Sequence, residues 1–369
     1  MIHFAIGTKA QFIKMAPIMH LLQLEGEPYH LLDLSQHGSL TGKILADFDL
    51  APIITRIGKK GRSVTTYSQA VTWLATGFIH VCFKRNAAYE QLFLKQDGVA
   101  LIHGDTLSTL LGLYLARAAG LKIALVEAGL SSGNLIDPFP EEWIRRHVGK
   151  RVDYLFPPDI VSETWLRKRN LKGHIINTEY NTGRDSLNLM RNREHRHATT
   201  AHDGYGIVTL HRLETLSNRR RLKRVINHIL ELAQILGKLR FYMHPPTENA
   251  LRKAGLMQTL KGSANVHVFE LAPYPEFVSA LSRARFVLTD GGSIQEESFY
   301  LRKPCLILRN RTERNEGIGQ NALLSTWDPG LDASHLQSAE QEEQSHESRN
   351  ADLIASRTIL DALQEFRIG

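Results

Sequence analysis

The chain has 369 residues, of which 43% are hydrophobic and 22% are charged. That length exceeds one ordinary domain and is enough to bury a sizeable core, and the charged fraction excludes wholesale disorder. The 45 Lys and Arg residues outnumber the 38 Asp and Glu residues, for a net charge of +7. So small a surplus suits a phosphate-bearing substrate as well as a nucleic acid, and it indicates only a basic surface until a site is found.

The two cysteines, Cys82 and Cys305, have no CxxC partner and no Cys/His spacing typical of zinc. We therefore expect neither a disulfide framework nor a structural metal site, and we expect a reducing compartment, the cytoplasm. The first apolar run is too short for a signal peptide. No uncharged apolar stretch of about 18 residues occurs, so no membrane span is expected.

Short apolar runs alternate with helical stretches along the first half of the chain. Strands are predicted at 3–7, 29–35, 99–104, 122–127, 152–156 and 174–177. Helices are predicted between them, for example at 14–25, 107–119 and 140–149. Uninterrupted apolar runs such as 123–126 indicate strands covered on both faces, which is typical of a parallel sheet.

The alternation restarts after the polar segment 191–203, which is predicted to be a linker. Further strands are predicted at 206–210, 240–243, 266–269, 286–289 and 304–308. Further helices are predicted at 219–236, 275–282 and 294–300, with a closing amphipathic helix at 351–366. The acidic segment 337–350 is predicted to be an exposed, mobile loop. Two successive α/β units of similar size predict two doubly wound domains, residues 1–180 and 181–350.

Ligands of such sheets bind beyond the carboxyl ends of the strands, and the cleft between two domains is the default site. Asp105, Glu127 and the pair Glu141–Glu142 follow predicted strands there. Carboxylates brought together acquire separated pKa values, which general acid/base catalysis at a weakly acidic C–H requires. Taken singly, Asp105 reads as an N-cap before Thr106 and the glutamates as first-turn acids. Three acidic positions at successive strand ends favour catalysis.

The glycine-containing turn 7–11, followed by Lys14, can hold an anion at a helix N-terminus. It is neither a dinucleotide fingerprint nor a P-loop, and an ordinary tight connection between strand and helix is the favoured interpretation. The turn 290–293 in the second half is also rich in glycine and opens a helix, so its N–H groups can take a diphosphate. The alternative is a glycine turn that completes a helix cap.

Basic and polar residues follow the strands of the second half. His211 and Arg212 follow its first strand, and such a pair can bind phosphate or stabilise developing negative charge. His244 follows the next strand, where the argument for phosphate binding is similar but weaker. Glu296 or Glu297, one turn into the helix after 290–293, can accept both hydroxyls of a ribose. Supporting positive charge comes from Arg309, Arg311 and Arg314.

Taken in order, these segments resemble the non-hydrolysing UDP-N-acetylglucosamine 2-epimerases. The matching stretches include 7–8, 14–17, 36–37, 103–106, 126–130, 140–145, 181–185, 211–214, 244–245, 291–297, 303–304 and 312–314. The resemblance implies an α/β fold of GT-B architecture, with two Rossmann-like doubly wound domains, an interdomain cleft and a last segment, 351–369, that crosses back to the first domain. It implies no metal and no cofactor.

The resemblance also implies a reaction. UDP-N-acetylglucosamine, or a modified 2-acetamido UDP-sugar, is inverted at carbon 2 by elimination and re-addition of UDP through a glycal intermediate. The implied setting is a cytoplasmic homodimer that supplies surface polysaccharide precursors and binds neither nucleic acid nor membrane. Three alternatives stay open: a hydrolysing 2-epimerase releasing UDP and N-acetylmannosamine, a GT-B glycosyltransferase, and a non-catalytic sugar-nucleotide sensor.

By the same resemblance, Asp105, Glu127 and Glu141 are the acid/base carboxylates and His211 assists the departure of the diphosphate. Arg145 is expected to bind a phosphate, Glu296 the ribose and Phe277 the uracil. The full set of expected substrate-binding residues is Lys9, Lys14, Arg145, His244, Phe277, Gly291, Gly292, Ser293, Glu296 and Arg314.

The chain departs from the family's pattern at several places. The usual Gly-Thr-Arg-Pro-Glu reads Gly-Thr-Lys-Ala-Gln at 7–11, so Lys9 keeps the charge but loses the planar fork. The usual Asp-Ser-Gly-Gly reads Asp-Gly-Gly-Ser at 290–293, and Leu-Arg-Thr-Gly reads Leu-Ser-Ser-Gly at 130–133. The segment 36–39 lacks the second glutamine of the family's allosteric substrate site, which leaves activation by a second UDP-sugar unsupported.

Overall fold

The computed structural model describes residues 1–34, 38–57, 88–131, 140–194, 204–312, 314–343 and 352–368. The chain forms two compact units, Met1–Leu189 with Ala351–Gly369, and Met190–Asn350. The division therefore falls after residue 189 rather than after residue 180. Among the described residues, no helix is long and apolar enough to span a membrane.

The N-terminal unit is built on a parallel sheet. Its described elements are β1 Ile2–Ile6, α1 Lys9–Leu24, β2 Tyr29–Asp33, α2 Gly38–Asp47, β3 Ile53–Arg56, a π-helical turn Ala88–Leu92, β4 Val99–His103, α3 Leu107–Ala118, β5 Lys122–Val126, α4 Glu141–Gly149, β6 Tyr154–Phe156, α5 Ile160–Arg167, β7 His174–Ile175 and α6 Thr182–Glu194. The strand order is β3-β2-β1-β4-β5-β6-β7. The order reverses between β1 and β4, which is where a ligand site is expected in such sheets.

The C-terminal unit repeats the design. Its described elements are β8 Gly206–Leu210, α7 Leu213–Leu216, α8 Arg219–Leu236, β9 Leu239–Met243, α9 Pro245–Ala254, α10 Met257–Lys261, β10 Val266–Glu270, α11 Tyr274–Arg283, β11 Val287–Thr289, α12 Gly292–Tyr300, β12 Cys305–Ile307, β13 Ala322–Leu324 and α13 Pro329–Glu343. The parallel strands follow the order β10-β9-β8-β11-β12-β13, with the reversal between β8 and β11. The last helix, α14 Ile354–Ile368, packs on α1 in the N-terminal unit.

Every predicted strand is present, with ends shifted by a few residues, and the described ranges contain two further strands. The additional strand β3 is an edge strand with largely exposed residues, so it lacks the continuous apolar run that marks the others. The additional strand β13 is only three residues long and lies at the other sheet's edge. Both therefore carry too weak a hydrophobic pattern to be recognised from sequence.

Two predicted loops are partly helical. Residues 337–343 continue helix α13, which contradicts the predicted mobile loop. Buried Ala333 and Leu336 anchor that helix in the core, and Arg285 binds Glu340 through two bonds of 2.7 and 2.8 Å. Likewise, residues 191–194 end helix α6 rather than begin the predicted linker. The remaining parts of both segments, 195–203 and 344–350, lie outside the described residues.

The helix α14 is tied to α6 by a buried carboxylate. Asp185 is fully buried and accepts a hydrogen bond of 2.7 Å from the backbone N–H of Ser356, in the first turn of α14. Burial raises the pKa of Asp185 to about 6, and the hydrogen bonds from Ser356 oppose that rise. The neighbouring Ser186 donates to the Ile13 carbonyl oxygen at 2.6 Å. Asp185 and Ser186 thus connect α6 to α14 and α1 within one unit.

Two histidines are buried in the centre of the N-terminal sheet. His3 and His30 lie side by side on β1 and β2, are inaccessible to solvent, and have their Nδ1 atoms 3.0 Å apart. The other ring nitrogens lie 3.0 Å from the Gln96 carbonyl oxygen and 2.9 Å from the Thr55 hydroxyl. Burial, followed by repulsion from His3, lowers the pKa of His30 to about 4. The folded protein therefore disfavours a charged His30.

This histidine pair predicts acid sensitivity. The pKa of His30 is lower in the folded protein than the usual 6.5, so its contribution to stability is present above pH 6.5 and is lost as the pH falls toward 4. We expect about 3 kcal/mol of unfolding free energy to disappear over that range. Urea unfolding of wild type and His30→Gln at pH 7 and pH 4.5 measures the difference. His267→Gln, an exposed histidine, is the control; equal pH dependence in wild type and His30→Gln contradicts the prediction.

Candidate active site

The turn between β1 and α1 is closed by its own side chains. Thr8 caps α1 together with Gln11, and the N–H groups of Gly7 and Thr8 donate to Gln11 Oε1 at 3.0 and 3.1 Å. Gln11 Nε2 donates to the His103 carbonyl oxygen at 2.7 Å. These N–H groups are thus occupied, as the favoured interpretation of an ordinary connection requires. Lys9 lies half-buried at the first position of α1.

Glu127 is the centre of a buried polar cluster after β5. Its Oε2 atom accepts hydrogen bonds from Lys14 Nζ and Asn181 Nδ2 and lies 3.8 Å from His103 Nε2. The side chains of Lys14 and Glu127 are only 8% and 9% exposed. Glu127 adopts a φ of 60°, a left-handed conformation rare for residues other than glycine. Backbone geometry and three neighbours therefore fix the position of this carboxylate.

Asp105 forms an ion pair with Arg145. The N-cap of α3 is Thr106, so the interpretation of Asp105 as the cap is wrong and its carboxylate is available for another partner. Arg145 Nη2 lies 2.5 Å from Asp105 Oδ2, and Arg145 Nη1 lies 3.3 Å from Glu142 Oε2. Arg145 thus connects the end of β4 to the first turn of α4.

The adjacent glutamates of α4 occupy different environments. Glu142 is fully buried and accepts hydrogen bonds from Ser131 Oγ at 2.6 Å, Arg146 Nε at 3.0 Å and Arg145. Glu141 is half-buried, and its buried Oε2 atom has no hydrogen-bond partner among the described residues. Glu142 is therefore a structural carboxylate, whereas Glu141 has a carboxyl oxygen available for a ligand.

The strand register brings the acidic positions to one edge of the sheet. His103 pairs with Val126 across β4 and β5, and the Gly104 N–H donates to the Val126 carbonyl oxygen at 3.0 Å. Asp105 and Glu127 consequently follow neighbouring strand ends. The ion pairs of Arg145 then attach the first turn of α4 to the same edge.

In the C-terminal unit, Asp290 joins the ends of β8 and β11. Its two buried carboxylate oxygens accept the backbone N–H groups of His211 and Arg212 at 2.9 and 3.2 Å. The His211 ring lies 5.1 Å from the His244 ring, between centroids. Burial lowers the pKa of His211, although the nearby Asp290 carboxylate raises it. His211 is therefore a predominantly neutral imidazole near neutral pH.

The glycine-rich turn follows Asp290 directly. Gly291 is the N-cap of α12, Gly292 and Ser293 are its first residues, and first-turn N–H groups have no partner within a helix. The half-buried imidazole of His211 lies against Gly291. The Gly291 N–H donates to Thr289 Oγ1 at 3.0 Å, so among the described residues the N–H groups of Gly292 and Ser293 are the donors left beside the histidine. A histidine and two N–H donors at one helix start form an arrangement suited to an anion.

Residue 291 must be glycine because the His211 ring lies too close to leave room for a side chain, and not because of its backbone conformation. Its φ of −98° is open to any residue, but an added Cβ would lie 2.2 Å from His211 Cε1. We expect Gly291→Ala to displace the imidazole and to lower kcat/KM by about tenfold or more. Steady-state kinetics measures this. Gly42→Ala, in helix α2 with open space around it, is the control, and unchanged kinetics of Gly291→Ala would contradict the assignment.

Helix α12 also holds the loop that carries Arg314. Gln295 is fully buried and donates to the carbonyl oxygens of Arg314 and Glu316 at 3.2 and 2.8 Å. Glu296 is 2% exposed, lies 3.5 Å from Arg314 Nη1 and accepts a hydrogen bond from Tyr300. The expected contact of Glu296 with a ribose stays a prediction.

Phe277 is a core residue in this structure. It is 7% exposed and packs perpendicular to Tyr242, with ring centroids 5.2 Å apart. Its expected place beside a uracil stays a prediction. Of the family-like positions, Gln36, His37, Ser132, Gly133 and Glu313 lie outside the described residues.

Sequence reasoning assigned no side-chain contact to Gln11, Asn181 or Asp290, and it did not separate Glu142 from Glu141. Gln11 is detectable in retrospect, because a Thr followed three residues later by Gln is a capping pattern. Asn181 is not, because nothing local indicates that it binds a carboxylate 54 residues earlier. Asp290 follows a strand, but the N–H groups that it binds are nearly 80 residues away in sequence.

Each unit is a doubly wound parallel sheet with polar groups beyond the point where the strand order reverses. Nucleotides bind at that point in many proteins of this class. The family model for UDP-N-acetylglucosamine 2-epimerase matches residues 88–362, more than half of the chain. The chain therefore belongs to the UDP-N-acetylglucosamine 2-epimerase family, as the resemblance predicted.

Individual relatives agree with this membership. The UDP-N-acetylglucosamine 2-epimerase of Methanocaldococcus jannaschii is 29% identical over 331 residues, covering 86% of this chain and 87% of the relative. The enzyme of that name from Bacillus subtilis is 29% identical over 337 residues, covering 86% and 80%. The crystal structure of the M. jannaschii epimerase in complex with UDP-GlcNAc and UDP superposes with a TM-score of 0.80 at 24% identity, over 99% of each chain. That likeness confirms the predicted GT-B fold class.

Proposed function

We propose that this protein interconverts UDP-N-acetylglucosamine, or a modified 2-acetamido UDP-sugar, with its carbon-2 epimer. Family membership and the names of the relatives support the reaction. The observation that carries it is the group of acids in the N-terminal unit. Asp105 and Glu127 lie in ion pairs at neighbouring strand ends, and Glu141 keeps a buried carboxyl oxygen without a partner among the described residues.

The chemistry needs proton transfers and a leaving group. A base removes the carbon-2 proton, the C–H electron pair forms a double bond to carbon 1, and the bond from carbon 1 to the UDP oxygen breaks with its electron pair on the phosphate. The reverse addition protonates carbon 2 on the opposite face and re-forms the bond to UDP. No electrons are gained or lost overall, so the balance requires no redox cofactor.

The acids divide into two kinds. Asp105 and Glu127 are paired with Arg145 and Lys14, which suits them to the role of carboxylate bases. Glu141 has no such pair among the described residues, so it can exchange a proton with a substrate without first breaking an ion pair. We assign Glu141 to one face of carbon 2, and Asp105 and Glu127 to the opposite face.

The C-terminal unit is proposed to bind UDP. His211 contacts the diphosphate and assists its departure, with the N–H groups of Gly292 and Ser293 supplying further donors. A neutral imidazole donates a hydrogen bond to the phosphate through one nitrogen. The remaining proposed substrate contacts are Lys9, Lys14, Arg145, His244, Phe277, Glu296 and Arg314.

Deuterated water tests the reaction. Purified protein is incubated with UDP-N-acetylglucosamine in deuterium oxide and followed by proton and phosphorus NMR. Because the two faces are served by different acids, the reprotonating group carries solvent deuterium, so we expect deuterium at carbon 2 with UDP still attached. Free UDP with N-acetylmannosamine would instead indicate the hydrolysing reaction. Binding without any turnover would indicate a transferase or a sensor and would overturn the proposal.

We also propose that the protein works as a cytoplasmic homodimer in the supply of surface polysaccharide precursors. The resemblance to the epimerases supports the dimer and the pathway. The compartment is supported by cysteine usage: Cys305 is a buried free thiol whose pKa burial raises to about 12, so it is an unreactive, protonated group.

A further inference from the structure

One face of helix α8 carries three cations at the edge of a cavity. Arg220, Lys223 and Arg224 line a cavity of about 420 Å³ in the C-terminal unit, together with Asn227, His228, Glu231 and Trp327. Residues three and four positions apart lie on the same side of a helix, so the three cations lie on one side of α8. The volume falls within the range of small-molecule sites, and the cavity is an open groove on the surface rather than an enclosed pocket. None of these residues belongs to the proposed epimerase site.

Trp327 also lines the cavity. Trp327 adopts a φ of 64°, and its indole N–H donates to Asn310 Oδ1 at 3.1 Å. A bulky residue in that left-handed conformation is strained, and such strain concentrates at functional sites. Arg224 lies over the indole ring at 4.3 Å from its centroid. The tryptophan is thus held in place by its surroundings before any ligand arrives.

His228, which lines the cavity, belongs to a buried hydrogen-bond network. His228 is 4% exposed and lies 2.8 Å from Asp332 Oδ2, while Ser325 donates to the same oxygen at 2.6 Å. Although burial alone would raise it, hydrogen bonds from His228, Ser325 and Thr326 lower the pKa of Asp332 to about 2. Asp332 is hydrogen-bonded within this network and is not among the residues that line the cavity.

The cations themselves lack counter-charges. Among the residues that the structure describes, Arg220, Lys223 and Arg224 form no ion pair with a carboxylate. The single carboxylate lining the cavity belongs to Glu231, two turns beyond Arg224. Like charges three and four residues apart on a helix repel one another. A multiply charged anion in the cavity would remove that repulsion.

We propose that this cavity binds a small anion with a diphosphate or triphosphate group. Two guanidinium forks and one ammonium match phosphate oxygens, and guanidinium groups bind them through paired hydrogen bonds. A compact anion with several negative charges compensates three neighbouring cations, which a single carboxylate does not. The exposed part of Trp327 gives the cavity an aromatic wall against which a nucleoside can lie. The same phosphate chemistry is present in inorganic polyphosphates and in nucleotides.

Calorimetric titration tests the site, with pyrophosphate, tripolyphosphate and ADP as probes and with saturating UDP present to occupy the diphosphate site proposed around His211. The variant Arg220→Gln/Lys223→Gln/Arg224→Gln removes the cations, and Arg221→Gln removes one charge from the same helix outside the cavity lining. We expect the triple variant to bind at least about tenfold more weakly than wild type, and Arg221→Gln to bind like wild type. Tighter binding of ADP than of pyrophosphate would identify a nucleotide ligand, and equal binding a polyphosphate; both support the proposal.

Two results would overturn it. The first is that wild type binds none of the three probes. The second is that the triple variant binds them as tightly as wild type, because the anion would then bind elsewhere on the protein. Thermal unfolding of the triple variant without ligand controls for misfolding, and we expect no loss of stability because the substitution removes like-charge repulsion. A Trp327→Phe variant keeps an aromatic wall, and loss of the ligand-induced fluorescence change in that variant would locate the probe beside residue 327.

Discussion

Glu141→Gln is expected to lower kcat by about 100-fold or more, the scale of a lost general acid or base. The substitution keeps the size of the side chain and removes its ability to exchange a proton. Its Oε2 atom has no hydrogen-bond partner among the described residues, so folding gains little from the carboxylate. The thermal midpoint should therefore stay within about 2 °C of wild type, as for a change outside any buried network.

The measurement is the rate of epimer formation at saturating substrate, alongside thermal unfolding. Glu90→Gln is the control, because it makes the same chemical change in an exposed pair with Lys95. Asp105→Asn and Glu127→Gln should also reduce kcat by about 100-fold or more. Normal turnover in all three catalytic variants would remove the assignment of these acids.

Glu142→Gln is expected to act on stability, with a loss of about 3 kcal/mol. Glu142 is fully buried, and its carboxylate faces Arg145 and Arg146 as well as the Ser131 hydroxyl. Glutamine keeps the volume but leaves two guanidinium groups beside a neutral amide. Because Arg145 also pairs with Asp105, we expect kcat to fall as well.

A double-mutant cycle measures the interaction between Glu142 and Arg146 apart from their other contacts. Arg146→Gln alone and with Glu142→Gln, measured by urea unfolding, gives the coupling between the two side chains. We expect the double variant to be less destabilised than the two single losses together, because a buried charge without its partner costs more than a neutral pair. Additive losses would mean that Arg146 contributes independently of Glu142.

Glu141 and Glu142 also show the limit of sequence reasoning at the site. Both are acids in the first turn of α4. The arginine partners of Glu142 are three and four residues further along the helix, a spacing that sequence can show, but its burial and its hydrogen bond from Ser131 depend on the packing of α4. The same holds for Asn181, whose partner Glu127 lies 54 residues away.

The sequence by itself determined the alternation of strands and helices and the edge at which the candidate acids lie. Continuous apolar runs remain buried only in a sheet covered on both faces, and parallel strands place all their carboxyl ends on one edge. Those two rules predict two parallel α/β units, and they place Asp105 and Glu127 at neighbouring strand ends.

Only the tertiary structure decided which polar groups are occupied and which are available. The N–H groups of the turn between β1 and α1 are taken by Gln11, and Asp105 pairs with Arg145 instead of capping a helix. Glu141 keeps an oxygen without a partner in the part of the chain that the structure describes. Tertiary packing likewise extended α13 through residues 337–343 and left the cations of α8 beside a cavity. Hydrogen bonds and ion pairs act over a few ångströms, so their partners are set by positions in space rather than by neighbours in sequence.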